Sequence, residues 1–401
     1  MSIDQTNTDR RLDGPSAEAV ALELAPQFAA RASGYDRDGT FPAEDFAAMR
    51  QAGLLGLMVP ARLGGAGATF ADYARVAMAL GSGSGSTALV FNMHASVTGA
   101  LAHTPDALVR AIGASESYFA SRDRVLEAAA KGALFAVAIS ERKAGSRLSA
   151  LETSYGRVPG GFRITGTKSF VSGAGHADAY LVAARPAEGD GTRVSYFLVP
   201  AGEGMVVEPT WDSLGMRATN SHDVHVDVEV DEDALVGGVE GLALLLARAM
   251  PQWLIASYAA VYVGVTRAAI GAAAAHLSER HLTGLPAVRA RLGRADAACA
   301  AAELAVLAAA RQIDVAPGAL ETNRAVYRAK LLAGETAMNV AASMLEAAGT
   351  SASRRGHPLE RIFRDARCGS LQPATSDVCA DWLGLAALGR DPDSDAETPR
   401  W

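Results

Sequence analysis

Cysteine is scarce in this chain of 401 residues: Cys299, Cys368 and Cys379 are all there are, far apart and without a C-x-x-C pair. That spacing argues against a disulfide framework and a zinc site, and reads as the reduced thiols of a cytoplasmic protein. Positive charge is not in excess either. Lys and Arg number 37 against 44 Asp and Glu, for a net charge of −7, so the basic face that a nucleic-acid partner demands is missing. Residues 1–14 hold no apolar run of the kind a secretory signal needs, and no repeat of fixed period is present. One long apolar run exists, from Leu242 to Val265, but Arg248, Pro251 and Gln252 interrupt it. It reads as a core helix, with no membrane partner expected.

What the chain does have is enough apolar content, 49% against 20% charged, to build two or three domains. Residues 1–14 and 391–401 are polar or Pro-containing and are read as flexible tails. Residues 15–130 are Ala-rich with helical spacing, 131–238 carry short alternating runs, and 239–390 are helical again. Within the first part, Leu63–Ala68 is Gly-rich and reads as a helix cap and connector, with phosphate cradling as the rarer use of such a loop. Gly81–Ser86 reads as a flexible low-complexity run. His94 follows it on a helix, either hydrogen-bonded in place or acting as a proton donor or acceptor.

The middle part is the most informative. Phe135–Ser140 is apolar and ends on a hydroxyl residue. Lys143-Ala-Gly-Ser146 follows as a loop, then strand-like runs at Phe162–Ile164, Lys168–Ser172 and Tyr180–Ala184, with Gly160-Gly161 as a hairpin turn. Short hydroxyl side chains and strand-end N–H groups are what could satisfy the acceptor-rich edge of a flavin ring. The bland alternative is a β-hairpin with serines at its turns.

The same residues resemble the acyl-CoA dehydrogenase family, whose pattern here runs like (V/L)TEPxAGSD…(L/V)xGxKxxIxNG. Ile139-Ser140-Glu141, Ala144-Gly145-Ser146, Ile164-Thr-Gly166-Thr-Lys168 and Phe170-Val-Ser172-Gly173 carry it, and Leu214-Gly-Met-Arg-Ala-Thr-Asn220 matches the family's LGMRxT run. The resemblance implies an α+β fold: an N-terminal helical domain, a central β-barrel-like domain and a C-terminal four-helix bundle. It implies FAD, with the ring held by Val137, Ile139, Ser140, Phe170, Val171 and Ser172. The rest of FAD would be held by Arg280, Gly349, Thr350 and Thr375, in a homodimer or homotetramer. Ser146 and Arg147 become substrate-binding candidates. The substrate would be an acyl thioester on CoA or a carrier protein. The redox partner would be an electron-transfer flavoprotein, oxygen or a flavin reductase.

The resemblance fails where its chemistry should be. Most members draw the base that removes the Cα proton from a Glu in a run like RDAxxxxIYEGTxE. Counted from Arg364-Asp365, that position is Pro373, which cannot exchange a proton. A second group draws its Glu from the first bundle helix, here Leu254. Asp377 and His94 remain as weak catalytic candidates. Three readings stay open. The first is an oxidoreductase of acyl thioesters with a relocated base. The second is a monooxygenase, in which reduced flavin activates oxygen and needs no carboxylate at Pro373. The third is a non-catalytic acyl- or flavin-binding homologue.

Overall fold

The computed structural model describes residues 12–188 and 193–394. The tails expected at 1–14 and 391–401 lie mostly outside that range. Where described, the first is not a tail: the Asp13 carboxylate accepts a bond from Ser16 N–H, and the Asp13 N–H donates to the Ser16 hydroxyl. This reciprocal pair caps helix α1 (Gly14–Asp38). Helices α2 (Ala43–Gln51), α3 (Phe70–Gly83), α4 (Gly85–His103), α5 (Asp106–Ala111) and α6 (Glu116–Ala130) complete the N-terminal part.

Two glycine-rich stretches serve packing. Gly81–Ser86, expected to be flexible, is the mostly buried joint between α3 and α4. A Cβ on Gly81 would stand 2.7 Å from the Val261 carbonyl oxygen, and one on Gly83 would stand 2.3 Å from that of Ala25. Glycine there lets α3 touch two other backbones. Leu63–Ala68 is a connector, as its helix-cap reading holds. The N–H groups of Ala66, Gly67 and Ala68 are consumed by the carbonyls of Gly56, Val59 and Leu57.

The central part is a seven-stranded sheet of β1 (Phe135–Ala138), β2 (Ser154–Val158), β3 (Gly161–Val171), β4 (Ala179–Pro186), β5 (Ser195–Pro200), β6 (Met205–Glu208) and β7 (His222–Asp231). The order is β1-β4-β2-β3-β7-β6, with β5 paired to β4. The Gly160 turn does join a hairpin, but its first arm is β2, which the sequence reading missed. The runs 162–164 and 168–172, read as two strands, belong to one: β3 pairs β7 antiparallel from Gly161 through Lys168, then slips register before Val171. That irregularity is a bulge, and bulges re-aim side chains next to functional sites.

The C-terminal part holds α7 (Ala243–Ala249), α8 (Ala256–Glu279), α9 (Pro286–Val315), α10 (Leu320–Ala348), α11 (Pro358–Arg367) and α12 (Ser376–Ala387). Residues 251–279 are long and apolar enough for a membrane span, yet two-thirds (67%) of the most apolar window is buried inside the molecule. The apolar surface of α8 packs against α3, α4, α9 and α10. Arg364 and Asp365 bind the parts together. Arg364 donates to Asp36 of α1 at 2.9 Å and to the Leu214 carbonyl at 2.9 Å, while Asp365 accepts from Met216 N–H at 2.6 Å.

Candidate active site

The site is built where β1 and β3 end side by side. Ser169 N–H donates to the Ser140 carbonyl at 2.8 Å, locking the two strand ends together. Beneath them Lys168, fully buried, donates to the Ile139 carbonyl at 3.1 Å and to Glu141 at 2.8 Å. Glu141 also accepts from Glu152 N–H at 2.6 Å and Thr153 N–H at 3.0 Å. Burial opposes both charges. It pulls the Lys168 ammonium down to about 8, and Glu141, although burial alone would raise it, is held below the usual carboxylate range by Lys168 and those donors. At neutral pH the two form a buried ion pair that fixes the backbone of Ile139.

After the bulge, Phe170 sits at φ 59 with its ring exposed and edge-on to Trp211, centroids 6.2 Å apart. A bulky residue in the left-handed region is strained, and such strain gathers at binding sites. Val171 is buried in the sheet core. Ser172 starts a chain of hydroxyls: Ser172 to Ser221 at 2.9 Å, Ser221 to Thr219 at 2.7 Å, and Thr219 to the Met216 carbonyl at 2.8 Å. A carbonyl only accepts, so Thr219 must donate to it, Ser221 to Thr219, and Ser172 to Ser221. The proton of Ser172 is committed inward and its oxygen is left as an acceptor. Close by, the buried Ser169 hydroxyl and the Asn220 carbonyl oxygen have no hydrogen-bond partner among the described residues. Unpaired polar atoms on the residues flanking Phe170 and Ser221, beside an acceptor at Ser172, are of the kind that the edge of a flavin satisfies.

Val137 and Ile139 face the other way, into a cavity of about 290 Å³. Its walls come from α4 (Ser96, Val97, Ala100, Leu101), β5 (Tyr196) and the 250–254 turn (Gln252, Trp253, Leu254). Two ionisable groups line it besides tyrosine. Asp314 has both oxygens engaged by Phe70 and Ala71 N–H at 2.7 and 3.0 Å, and caps α3. The pKa of His103 is lowered by burial, against the pull of Asp314 and a bond to the backbone of Ala68.

The other sequence candidates lie elsewhere. His94 is not a proton carrier for this cavity. Its Nδ1 accepts from Phe135 N–H at 3.1 Å and its Nε2 meets the Leu55 carbonyl at 2.7 Å, so the neutral ring staples α4 to β1. Asp377 is exposed in the first turn of α12, and the Thr375 hydroxyl caps that helix through Val378 N–H. Neither lines the cavity, nor do Ser146 and Arg147, which sit on a turn after Glu141. Arg280, Gly349 and Thr350 are exposed at the ends of α8 and α10. Pro373 lies on a loop gripped by Lys330. That buried ammonium, lowered by burial to about 8, donates to the carbonyls of Gly369, Gln372 and Ala374 at 2.8, 3.1 and 3.0 Å. Sequence reasoning missed Lys330, Tyr196 and Gln252. A single lysine amid the Ala- and Leu-rich run of α10 was the only visible signal for the first.

Comparison with known proteins agrees with this geometry. Family models for the acyl-CoA dehydrogenase N-terminal, middle and C-terminal domains match residues 16–111, 136–228 and 255–381. The chain belongs to the acyl-CoA dehydrogenase family. As a member it is a flavin-dependent oxidoreductase, on the three-part fold that the sequence motifs imply. Among its relatives, an L-evernosamine nitrososynthase of Micromonospora sp. is 31% identical over 95% of this chain and 92% of its own. A putative acyl-CoA dehydrogenase of Bacillus subtilis, YdbM, is 30% identical over 91% and 94%. In structure, KijD3 in complex with FMN and a dTDP-amino-keto sugar superposes with a TM-score of 0.82 at 27% identity, covering 94% of this chain and 95% of KijD3. TdsC of Paenibacillus sp. A11-2, a dibenzothiophene monooxygenase, superposes in its FMN- and indole-bound form with a TM-score of 0.80 at 26% identity, covering 93% and 97%. The acyl-CoA dehydrogenase family thus includes, close to this chain, enzymes that are not dehydrogenases.

Proposed function

We propose that this chain is a monooxygenase of the acyl-CoA dehydrogenase family that takes reduced FMN from a separate reductase and oxygenates a small molecule in the cavity behind Ile139. The observation that carries this reading is the absence, among the described residues lining the cavity, of a carboxylate free to take a proton. Leu254 stands where one family group has its Glu, Pro373 is off the cavity on a clamped loop, and Asp314 is spent on capping α3. Removal of a thioester Cα proton needs such a base; activation of oxygen by a reduced flavin does not.

When bound, the flavin supplies the reducing equivalents and the site of reaction with oxygen. The chain's part is to hold and enclose it. Ser172, its own proton directed to Ser221, offers an acceptor for a ring N–H, which a reduced ring presents at the atom where the oxidised ring has a lone pair. Val137 and Ile139 form an apolar wall that keeps water from the reacting face. The ring-holding end of the site is built in this chain, whereas Arg280, Gly349 and Thr350, which would meet the distal half of FAD, are exposed and would need a second subunit to form a site; FMN asks only for the first. Relatives that bind FMN support the same choice. The acyl-thioester reading and an electron-transfer flavoprotein partner are the alternative arm of the test.

Flavin-loaded protein mixed anaerobically with butyryl-, octanoyl- and 3-phenylpropanoyl-CoA is expected to keep its visible spectrum. A Pro373→Glu variant is expected to do the same, because a Glu there projects from a loop outside the cavity. Bleaching of the wild type by any of these thioesters would overturn the monooxygenase reading.

A further inference from the structure

Two histidines outside the flavin site face each other where α8 ends and α11 begins. His276 lies in the last turn of α8, and His357 is the N-cap of α11. Their rings stand edge to face with centroids 4.8 Å apart, and His357 Nε2 is 3.2 Å from His276 Nδ1. The other ring nitrogens are engaged too. His357 Nδ1 accepts from Leu359 N–H at 3.2 Å, and His276 Nε2 is 3.3 Å from the Ser351 hydroxyl oxygen. These partners leave one arrangement of protons. A backbone N–H only donates, so His357 Nδ1 is bare and its Nε2 carries the hydrogen. That hydrogen goes to His276 Nδ1, which is bare in turn, and His276 Nε2–H donates to Ser351. A proton added to either ring breaks the chain. On His357 it occupies the nitrogen that caps Leu359. On His276 it sets two N–H donors against each other.

We propose that this imidazole pair is a pH-sensitive latch, which holds the start of α11 and the linker 350–357 against the end of α8 at neutral pH and releases them in acid. Burial and the neighbouring His276 lower the pKa of His357, against the pull of Glu279 on α8. The other charges on the elements packed here are exposed or already paired. Arg280 of α8 and Arg354 of the linker are exposed. Glu360 pairs with Arg355 and Arg364, Arg361 with Asp365, and Glu346 of α10 with Arg291. A freed ring titrates near the ordinary value of about 6.5, above that of the latched ring. The open form therefore takes up a proton first, and the latch is intact above that pH and loses its hold as pH falls below it. The release reaches further than one cap. Arg364 and Asp365, later in α11, are bonded to Asp36 of α1 and to Met216 N–H, so the helix that ties the parts together loses its anchored end.

Amide hydrogen exchange of the full chain at pH 7, 6 and 5, corrected for the intrinsic effect of pH on exchange, reads the latch. The amides of Ala352, His357, Leu359 and Glu360 are expected to lose at least about fivefold in protection between pH 7 and 5, the equivalent of one helix cap. His357→Asn keeps a capping side chain and removes the titration. Its protection at the same amides should change by less than about twofold over that range. Long-range proton–nitrogen spectra of the wild type at pH 7.5 give the tautomers without any variant, and both rings should carry their hydrogen on Nε2. A hydrogen on Nδ1 of either ring, protection that does not change with pH, or a loss in acid that persists in His357→Asn would each overturn the proposal.

Discussion

His94 shows how one side chain changes meaning once its partners are known. Its Nδ1 must accept from Phe135 N–H, so the ring has to be neutral, and burial lowers its pKa to about 4. In the unfolded chain the same ring titrates near 6.5. Between those values the unfolded state binds a proton that the folded state refuses, so stability falls as pH falls through that window. The expected loss is about 2 kcal/mol between pH 6.5 and 5, at 1.36 kcal/mol per unit. Urea denaturation of wild type and His94→Gln should therefore show a stability gap that narrows as pH drops from 7 to 5. A gap independent of pH would mean that the ring is not held neutral. The residue was legible as a helix histidine. Its partners, Leu55 and Phe135, about 40 residues away in either direction, were not, because nothing local in sequence encodes that meeting.

Among elements, the loop between α11 and α12 is the one whose form decides the chemistry. In sequence it is the place of a missing Glu. In structure it is a segment whose carbonyls are gathered by Lys330 and whose Gln372 side chain accepts from the Tyr262 hydroxyl at 2.7 Å. Lys330→Met removes the donor shared by the Gly369, Gln372 and Ala374 carbonyls, of which Ala374 alone keeps a second one, the Cys379 thiol. The expected cost is roughly 2–5 kcal/mol by chemical denaturation, with faster amide exchange confined first to residues 369–377. Exchange there at the wild-type rate would show that the clamp does not hold the loop. The strands were readable where they alternate, as in β7, and the sheet's hydroxyl residues were found by motif. The joining of 162–164 to 168–172 in one bulged strand was not, because Thr165, Gly166 and Thr167 between them look like a turn until β7 pairs with them. Tyr196 and Gln252 were invisible for a different reason: a strand tyrosine and a glutamine on the turn before α8 come to line one cavity only once β5 and that turn enclose the same space.

On the scale of the whole molecule, the hydroxyl-rich strand ends at Ser140 and Ser172 lie within the chain, while the helix ends that the family resemblance assigns to the rest of FAD lie on its surface. The exposed ends of α8 and α10, with Arg280, Gly349 and Thr350, are where a second subunit would complete an FAD site, and we propose that the chain assembles as a homo-oligomer without sharing a cofactor. Arg280→Ala should then leave flavin affinity within about twofold of wild type, whereas loss of a charge-assisted bond to a pyrophosphate would weaken FAD by roughly 1.5–3 kcal/mol. The central claim is that reduced FMN, not a resident oxidised FAD, is the form this site is built to hold. Equilibrium titration of the protein under nitrogen with oxidised FMN, oxidised FAD and dithionite-reduced FMN measures it directly. Reduced FMN should bind at least about tenfold more tightly than either oxidised flavin, the equivalent of one hydrogen bond to the committed acceptor at Ser172. Tighter binding of oxidised FAD, retained through gel filtration, would contradict the account.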